Sequence, residues 1–300
     1  MANNGYGVAQ GRLGSYLSQR GMYTELTSGV SYYWFITDLL KQFEANYEDI
    51  ADKLEESAAL LFSKNNLVAG ITCSEDDYEL YSPSFNTFVA SLNNEPVKLN
   101  QWTLNPVPGN EGFLTASKVQ YVLQGYNFRT LGLEWDGKWS VLDQILSSEW
   151  LQTQIRVIGG AYGGFSGISR YGTVYFASYR DPNLKETLDN YSATVDFLNG
   201  FQADTSAMTR FIIGTIAGLD RPLTPGQKGD LAFRRLLENT LQEDIQKDRD
   251  AILSTSAADI RNMSDEIDKI LQQNVFCVYG NEDKLQENRS LFKELVRLQK

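Results

Sequence analysis

Residues 93–112 carry Pro96, Pro106, Pro108, Gly109 and Gly112 with neither a helical nor a strand period. Proline has no backbone N–H to give to a ladder and fixes φ, and glycine adds conformational freedom. A stretch holding both therefore interrupts any regular element that enters it. It divides the chain, and the expected organisation is a segment at 1–95, a linker at 96–112 and a complete domain at 113–300. A chain of 300 residues exceeds the usual single-domain size. With 42% hydrophobic and 22% charged residues it has the material for a core.

The first segment reads as two helices, at 29–43, with Tyr32, Tyr33, Trp34 and Phe35, and at 47–62, with Ile50, Leu54, Ala58 and Leu61 at spacings of three and four. Asn65 and Asn66 stop the second. The short apolar run Leu67-Val-Ala-Gly-Ile-Thr-Cys73 then predicts a buried strand, and Ser74, with Asp77 three residues on, caps the next helix. In the larger segment, 118–125 alternates as a strand and 138–156 has helical spacing. Residues 159–164 form a glycine turn, and 165–170 and 173–179 a hairpin around Tyr171 and Gly172. Asp181-Pro182 is expected to open a helix striped by Leu184, Leu188, Tyr191, Val195 and Leu198. Helices at 206–219, 229–239 and 257–272, a strand at 275–279 and a helix at 284–298 complete the reading. The helix–strand–helix pattern around 66–76 recurs around 274–283. The expected fold class is therefore α+β, with one domain complete and a second copy of it present only as its C-terminal part.

Net charge is -11, from 27 Lys and Arg against 38 Asp and Glu, which lacks the footprint needed to neutralise phosphates and argues against nucleic acid as a partner. No run approaches a membrane span, and the N-terminus has no basic region followed by an apolar stretch. An internal fragment given a start Met would look the same. Cys73 and Cys277, each in or at the end of an apolar run, are expected to be two buried strand thiols, which suits a reducing, cytoplasmic setting.

The chain has no histidine. This removes Ser-His-Asp and Cys-His nucleophile activation and His-ligated zinc, and two distant cysteines cannot make a Cys-only zinc site. Catalysis from this chain alone would need carboxylates, Lys, Tyr or a borrowed cofactor, and no constellation supports a carboxylate-based enzyme. Gly5-Tyr-Gly7 fails the dinucleotide fingerprint at Gln10, and Phe165 stands where a phosphate loop requires Lys. Gly164-Phe-Ser-Gly167 is no nucleophile elbow, since Ile168 replaces the last glycine. The acidic run 242–250 reads as a solvated helix face.

Gln154-Ile-Arg-Val-Ile-Gly-Gly-Ala-Tyr-Gly-Gly164, followed by Ser178-Tyr-Arg-Asp-Pro-Asn183, resembles the last domain of presequence-protease-type zinc metallopeptidases of the pitrilysin/insulinase superfamily. Lys185-Glu-Thr-Leu-Asp189, Leu223-Thr-Pro-Gly-Gln-Lys-Gly229 and Gly280-Asn-Glu-Asp-Lys-Leu285 support the resemblance, and residues 29–76 resemble the third domain. The resemblance implies four related αβα domains that clasp a peptide-holding chamber, with zinc bound by an inverted His-x-x-Glu-His in the first domain. This chain lacks that motif, so zinc belongs to a missing N-terminal half, the implied partner together with a peptide substrate.

The resemblance also carries over an Arg and a Tyr six residues apart, here Arg156 and Tyr162, which contact substrate near the scissile carbonyl. Gly159, Gly160 and Gly163 would admit the peptide backbone. A phenol O–H or guanidinium aimed at the developing negative charge is suited to that role. Read by themselves, the same residues favour a helix C-terminus closed by a favourable positive charge, and a glycine cap. The alternative function is a standalone, non-catalytic scaffold or protein-interaction domain of the same superfamily.

Overall fold

The computed structural model describes residues 4–96 and 100–298; residues 1–3, and 97–99 within the expected linker, lie outside them. Two compact units emerge, and they do not follow chain order. One takes the residues up to Tyr33, Thr103–Asp220 and those from Glu243 on. The other takes the described residues of Trp34–Trp102 together with Arg221–Gln242.

The first unit opens with helices α1 (Gly5–Leu17) and α2 (Gln19–Ser28) and the start of α3 (Val30–Leu61), which continues into the second unit, where α4 (Glu75–Ser91) follows. Strands β1 (Asn110–Thr115) and β2 (Tyr121–Asn127), helix α5 (Lys138–Ile145), a π-helix (Leu146–Ile158) and the hairpin β3 (Gly163–Ile168) and β4 (Thr173–Tyr179) come next. Helices α6 (Lys185–Ser192), α7 (Thr194–Asn199), α8 (Thr205–Leu219), α9 (Pro225–Leu237), α10 (Gln242–Leu253), α11 (Ala257–Asn262) and α12 (Ser264–Leu271) lead to β5 (Phe276–Asn281), α13 (Glu282–Glu287) and β6 (Glu294–Arg297).

The six strands make one mixed sheet in the order β3-β4-β2-β5-β1-β6. β1 runs parallel to β5 and β6, and β2 antiparallel to β4 and β5. Because side chains alternate across a strand, β4 sends Val174 and Phe176 to one face and Tyr175 and Tyr179 to the other. The first face packs on Trp139, Leu142, Ile145, Tyr191 and Ile267 and forms the buried core. The α+β class with a mixed sheet packed by helices is as expected.

Helix α1 covers the other face and was not legible, because Gly5, Gly7, Gly11 and Gly14 each cost about 1 kcal/mol in a helix relative to alanine. Tertiary contacts decide instead. Ala9, Leu13, Tyr16 and Leu17 are buried. Arg12 grips Glu111 of β1 through Nε–Oε2 at 2.6 Å and Nη2–Oε1 at 2.9 Å, and reaches Glu25 of α2 at 3.1 Å. The Tyr16 hydroxyl donates to the same Glu111 carboxylate. A Cβ on Gly5 would stand 2.6 Å from the rings of Tyr121 and Tyr279, so the sheet tolerates only glycine there.

Several expected elements change. The linker ends earlier than read, since Asn110, Glu111 and Gly112 already pair in β1. The closing helix expected at 284–298 stops at Glu287, and Glu294–Arg297 becomes the edge strand β6 beside β1, a pairing set by a partner 183 residues away in the chain. Residues 257–272 form two helices that meet at Met263. The helix after Asp181-Pro182 begins only at Lys185.

In the second unit the two expected helices are one, α3, bent at Asn46, where φ is -129° and ψ 20°. Ser74 caps α4 by accepting from the Asp77 N–H at 3.2 Å. Residues 67–73 do not form the expected strand: they are exposed and carry no ladder, and Cys73 is exposed, whereas Cys277 is buried in β5. A strand needs a neighbour for its N–H and C=O groups, and the described residues supply none there. No hydrophobic side chain among this unit's described residues is buried; Leu61 and Leu80 are each 79% exposed. Among the described residues no helix is long and apolar enough to cross a membrane.

Candidate functional site

The resemblance draws attention to the end of the π-helix. Its i→i+5 winding is rare and concentrated at functional sites. Leu151 and Ile155 anchor it in the core, and Arg156, Val157 and Ile158 face outward in its last turn. The helix closes by hydrogen bonds from Gly159 N to Gln154 O at 2.9 Å, Gly160 N to Arg156 O at 3.1 Å and Ala161 N to Ile155 O at 3.1 Å. This is a Schellman-like cap widened by one residue. Gly160 has φ +78°, a left-handed conformation that other residues enter at a cost.

The chain then turns into β3, and Tyr162 N donates to Tyr179 O at 3.0 Å. Tyr162 is 69% exposed. Arg156 is also exposed and has no ion pair among the described residues. Gly164, one residue beyond the expected group, is required by packing: a Cβ there would stand 2.5 Å from that of Ile155. Gly163 has 3.8 Å or more of clearance, so the fold itself does not demand glycine.

The glycine turn is held from outside by the segment after β4. Asn183 Nδ2 donates to Gly159 O at 2.7 Å. Asp181 is fully buried; it accepts from Asn183 N at 2.8 Å and from the Thr187 hydroxyl at 2.7 Å. Burial pushes the Asp181 carboxyl up, against the pull of those hydrogen bonds. Asp181 therefore organises a loop and holds the first turn of α6 from there, where the expected role was a direct N-cap. Asn183 is the positioning residue that sequence reasoning missed; its place beside Asp181-Pro182 marked a turn, but not what the amide would reach.

The description of one protein family, the PreP C-terminal domain, matches residues 110–279. The chain belongs to this family.

Protein HypA of Clostridium perfringens is 36% identical over 98% of this chain and 30% of its own length. Presequence protease 1 of Arabidopsis thaliana is 32% identical over 99% of this chain and 28% of its own length. The chain thus spans under a third of the curated relatives it matches. The crystal structure of a protease from Helicobacter pylori is similar with a TM-score of 0.48 and 16% identity, over 69% of this chain and 52% of that one. The presequence-protease resemblance read from residues 154–183 is borne out by the family match.

The residues of this PreP C-terminal domain chain do not fit a zinc ion. It has no histidine, and among the described residues no group of three or more Cys, Asp or Glu could hold a metal. Replacing Asn183 with Ala should release the turn without unfolding the domain. The expected global loss is about 1 kcal/mol, one neutral hydrogen bond, with amide exchange quickening at 159–162. Unchanged exchange there would mean that the helix cap suffices.

Proposed function

We propose that this chain is the non-catalytic C-terminal part of a zinc metalloendopeptidase, one that encloses peptide substrate and supplies Arg156 and Tyr162 to the scissile region. The observation that carries the reading is that an exposed guanidinium and an exposed phenol stand on either side of a hydrogen-bonded glycine turn, both outside the core. Side chains held at the surface by a fixed backbone can meet a ligand without reorganising, which is what stabilising a developing oxyanion requires. Gly163, free of any packing demand, leaves room for a peptide backbone beside Tyr162. Residues 1–95 are then the end of a third domain whose remaining strands, including a neighbour for 67–73, belong to the preceding chain. Zinc and the water it activates are assigned to that preceding part, and a reducing, cytoplasmic setting completes the proposal.

The test compares this chain alone with the same chain joined to its preceding sequence. Alone it should bind no stoichiometric zinc by elemental analysis and hydrolyse no peptide, because it lacks imidazole ligands. Joined, it should cleave peptides in a chelator-sensitive way. A joined protein that holds zinc and cleaves nothing would favour the scaffold reading instead.

A further inference from the structure

Beyond Tyr162 lies a row of tyrosines on one rim of the sheet. The Tyr162 and Tyr179 rings lie 5.9 Å apart at 58°, and those of Tyr179 and Tyr121 5.2 Å apart at 73°. These residues stand at adjacent strand ends of β3, β4 and β2, so the row is about 10 Å long, the reach of about three residues of extended chain. Arg180 stands on the row, its guanidinium 5.8 Å from the Tyr179 ring centroid.

The backbone at Arg180 is unusual in two ways. Stepping along the β2–β4 register from Leu123↔Ala177 would set Gln120 opposite Arg180, yet the observed bridge joins Gln120 to Asp181. Arg180 is therefore the extra residue of a β-bulge, a device that re-aims a side chain and is common beside active sites. Its φ is +50°. The other described non-glycine residues with positive φ are Asn239 and Asn274, the residue type that tolerates this conformation. Arginine does not, and such strain persists only where neighbours over-determine it. Here they do: Tyr179 pairs with Gly163, and Asp181 exchanges two 2.8 Å hydrogen bonds with Gln120.

From the fold the side chain gains the face of the Tyr179 ring and hydrogen bonds to Tyr121 and Tyr179. It is exposed and has no carboxylate partner among the described residues, in a chain with 38 acidic residues. A planar guanidinium stacked on an aromatic ring keeps its donor fork pre-oriented for a carboxylate.

We infer that Arg180 is a second substrate-contacting guanidinium, which takes a carboxylate of the peptide two to three residues from the segment met by Arg156 and Tyr162. The inference rests on the peptidase reading above. It assigns to this rim a specificity for an acidic side chain or a free C-terminal carboxylate.

The test uses the full-length protein and matched peptides. One pair carries Glu or Gln two or three residues from the cleaved bond on either side, and a second pair ends in a free acid or an amide. The parent protein should prefer the carboxylate member of one pair about 10- to 100-fold in kcat/KM, the size of one charged hydrogen-bonded contact. The responding pair tells a side-chain carboxylate from a terminal one. Arg180→Gly should abolish the preference through KM while leaving thermal stability equal or higher, since glycine relieves the left-handed strain. Arg180→Asn, which also tolerates that backbone, should behave alike and guards against a fold defect peculiar to glycine. A parent without carboxylate preference, or a preference retained in both variants, overturns the inference. Loss of turnover in Tyr162→Phe with Arg180 variants unchanged would sink this inference alone, whereas no effect of Tyr162→Phe sinks the reading beneath it.

Discussion

Tyr162→Phe, made in the full-length protein, is expected to lower turnover about 100- to 1000-fold, the usual cost of losing one oxyanion-type donor. The change removes a single hydroxyl and leaves the ring that packs against Tyr179. Because Tyr162 is 69% exposed, folding and peptide affinity should stay close to those of the parent. Arg156→Ala should differ in kind: it removes a charged contact made before and during reaction, so KM should rise as well. Steady-state kinetics on one peptide, with thermal melts as control, separates the two. Unchanged turnover in Tyr162→Phe would mean that the turn is only structural.

The largest stability effect is expected at Glu111, where β1 receives Arg12 and Tyr16 of α1. Glu111→Ala takes two hydrogen bonds from a largely buried guanidinium, which keeps Glu25 as a partner, and should cost about 3 kcal/mol, the lower end of what removing one member of a buried pair costs. For a domain of this size that is a fall of roughly 6–12 °C in Tm. Burial alone would raise the Glu111 carboxyl, but the hydrogen bonds from Arg12 and Tyr16 and the Arg12 charge outweigh it and hold it below the usual carboxylate range. A lowered folded-state pKa contributes stability that is present above the unfolded value, about 4.3, and is lost as pH falls through the folded one. The deficit of Glu111→Gln against the parent should therefore be greatest near neutral pH and shrink on acidification. Urea midpoints across that range measure it, and a pH-independent deficit would remove the ion pair from the account.

Much was legible where the determining contacts are local. Ser74 caps the helix that follows it because its side-chain oxygen meets an N–H three residues on. Tyr171 and Gly172 turn the β3–β4 hairpin, with Gly172 at φ +107°. The candidate site was legible only through resemblance. Nothing in the spacing of Arg156 and Tyr162 distinguishes a substrate contact from a helix cap, and what Asn183 and Arg180 reach was visible only once their partners across the loop and the sheet were placed.

The amino-acid sequence by itself determined which chemistry this chain cannot perform, since the absence of histidine is independent of fold, and where Ser74 caps α4 and the β3–β4 hairpin turns. Only the tertiary structure decided that four glycines could lie in a helix seated on the sheet, that Glu294–Arg297 pairs with β1, and that the helix after Ile145 winds as a π-helix. It also decided that Arg180 bulges out of its ladder and that residues 67–73 stay unpaired. Caps and turns draw their energy from atoms a few residues apart. Strand pairing, helix seating and bulges draw theirs from partners that only folding brings near.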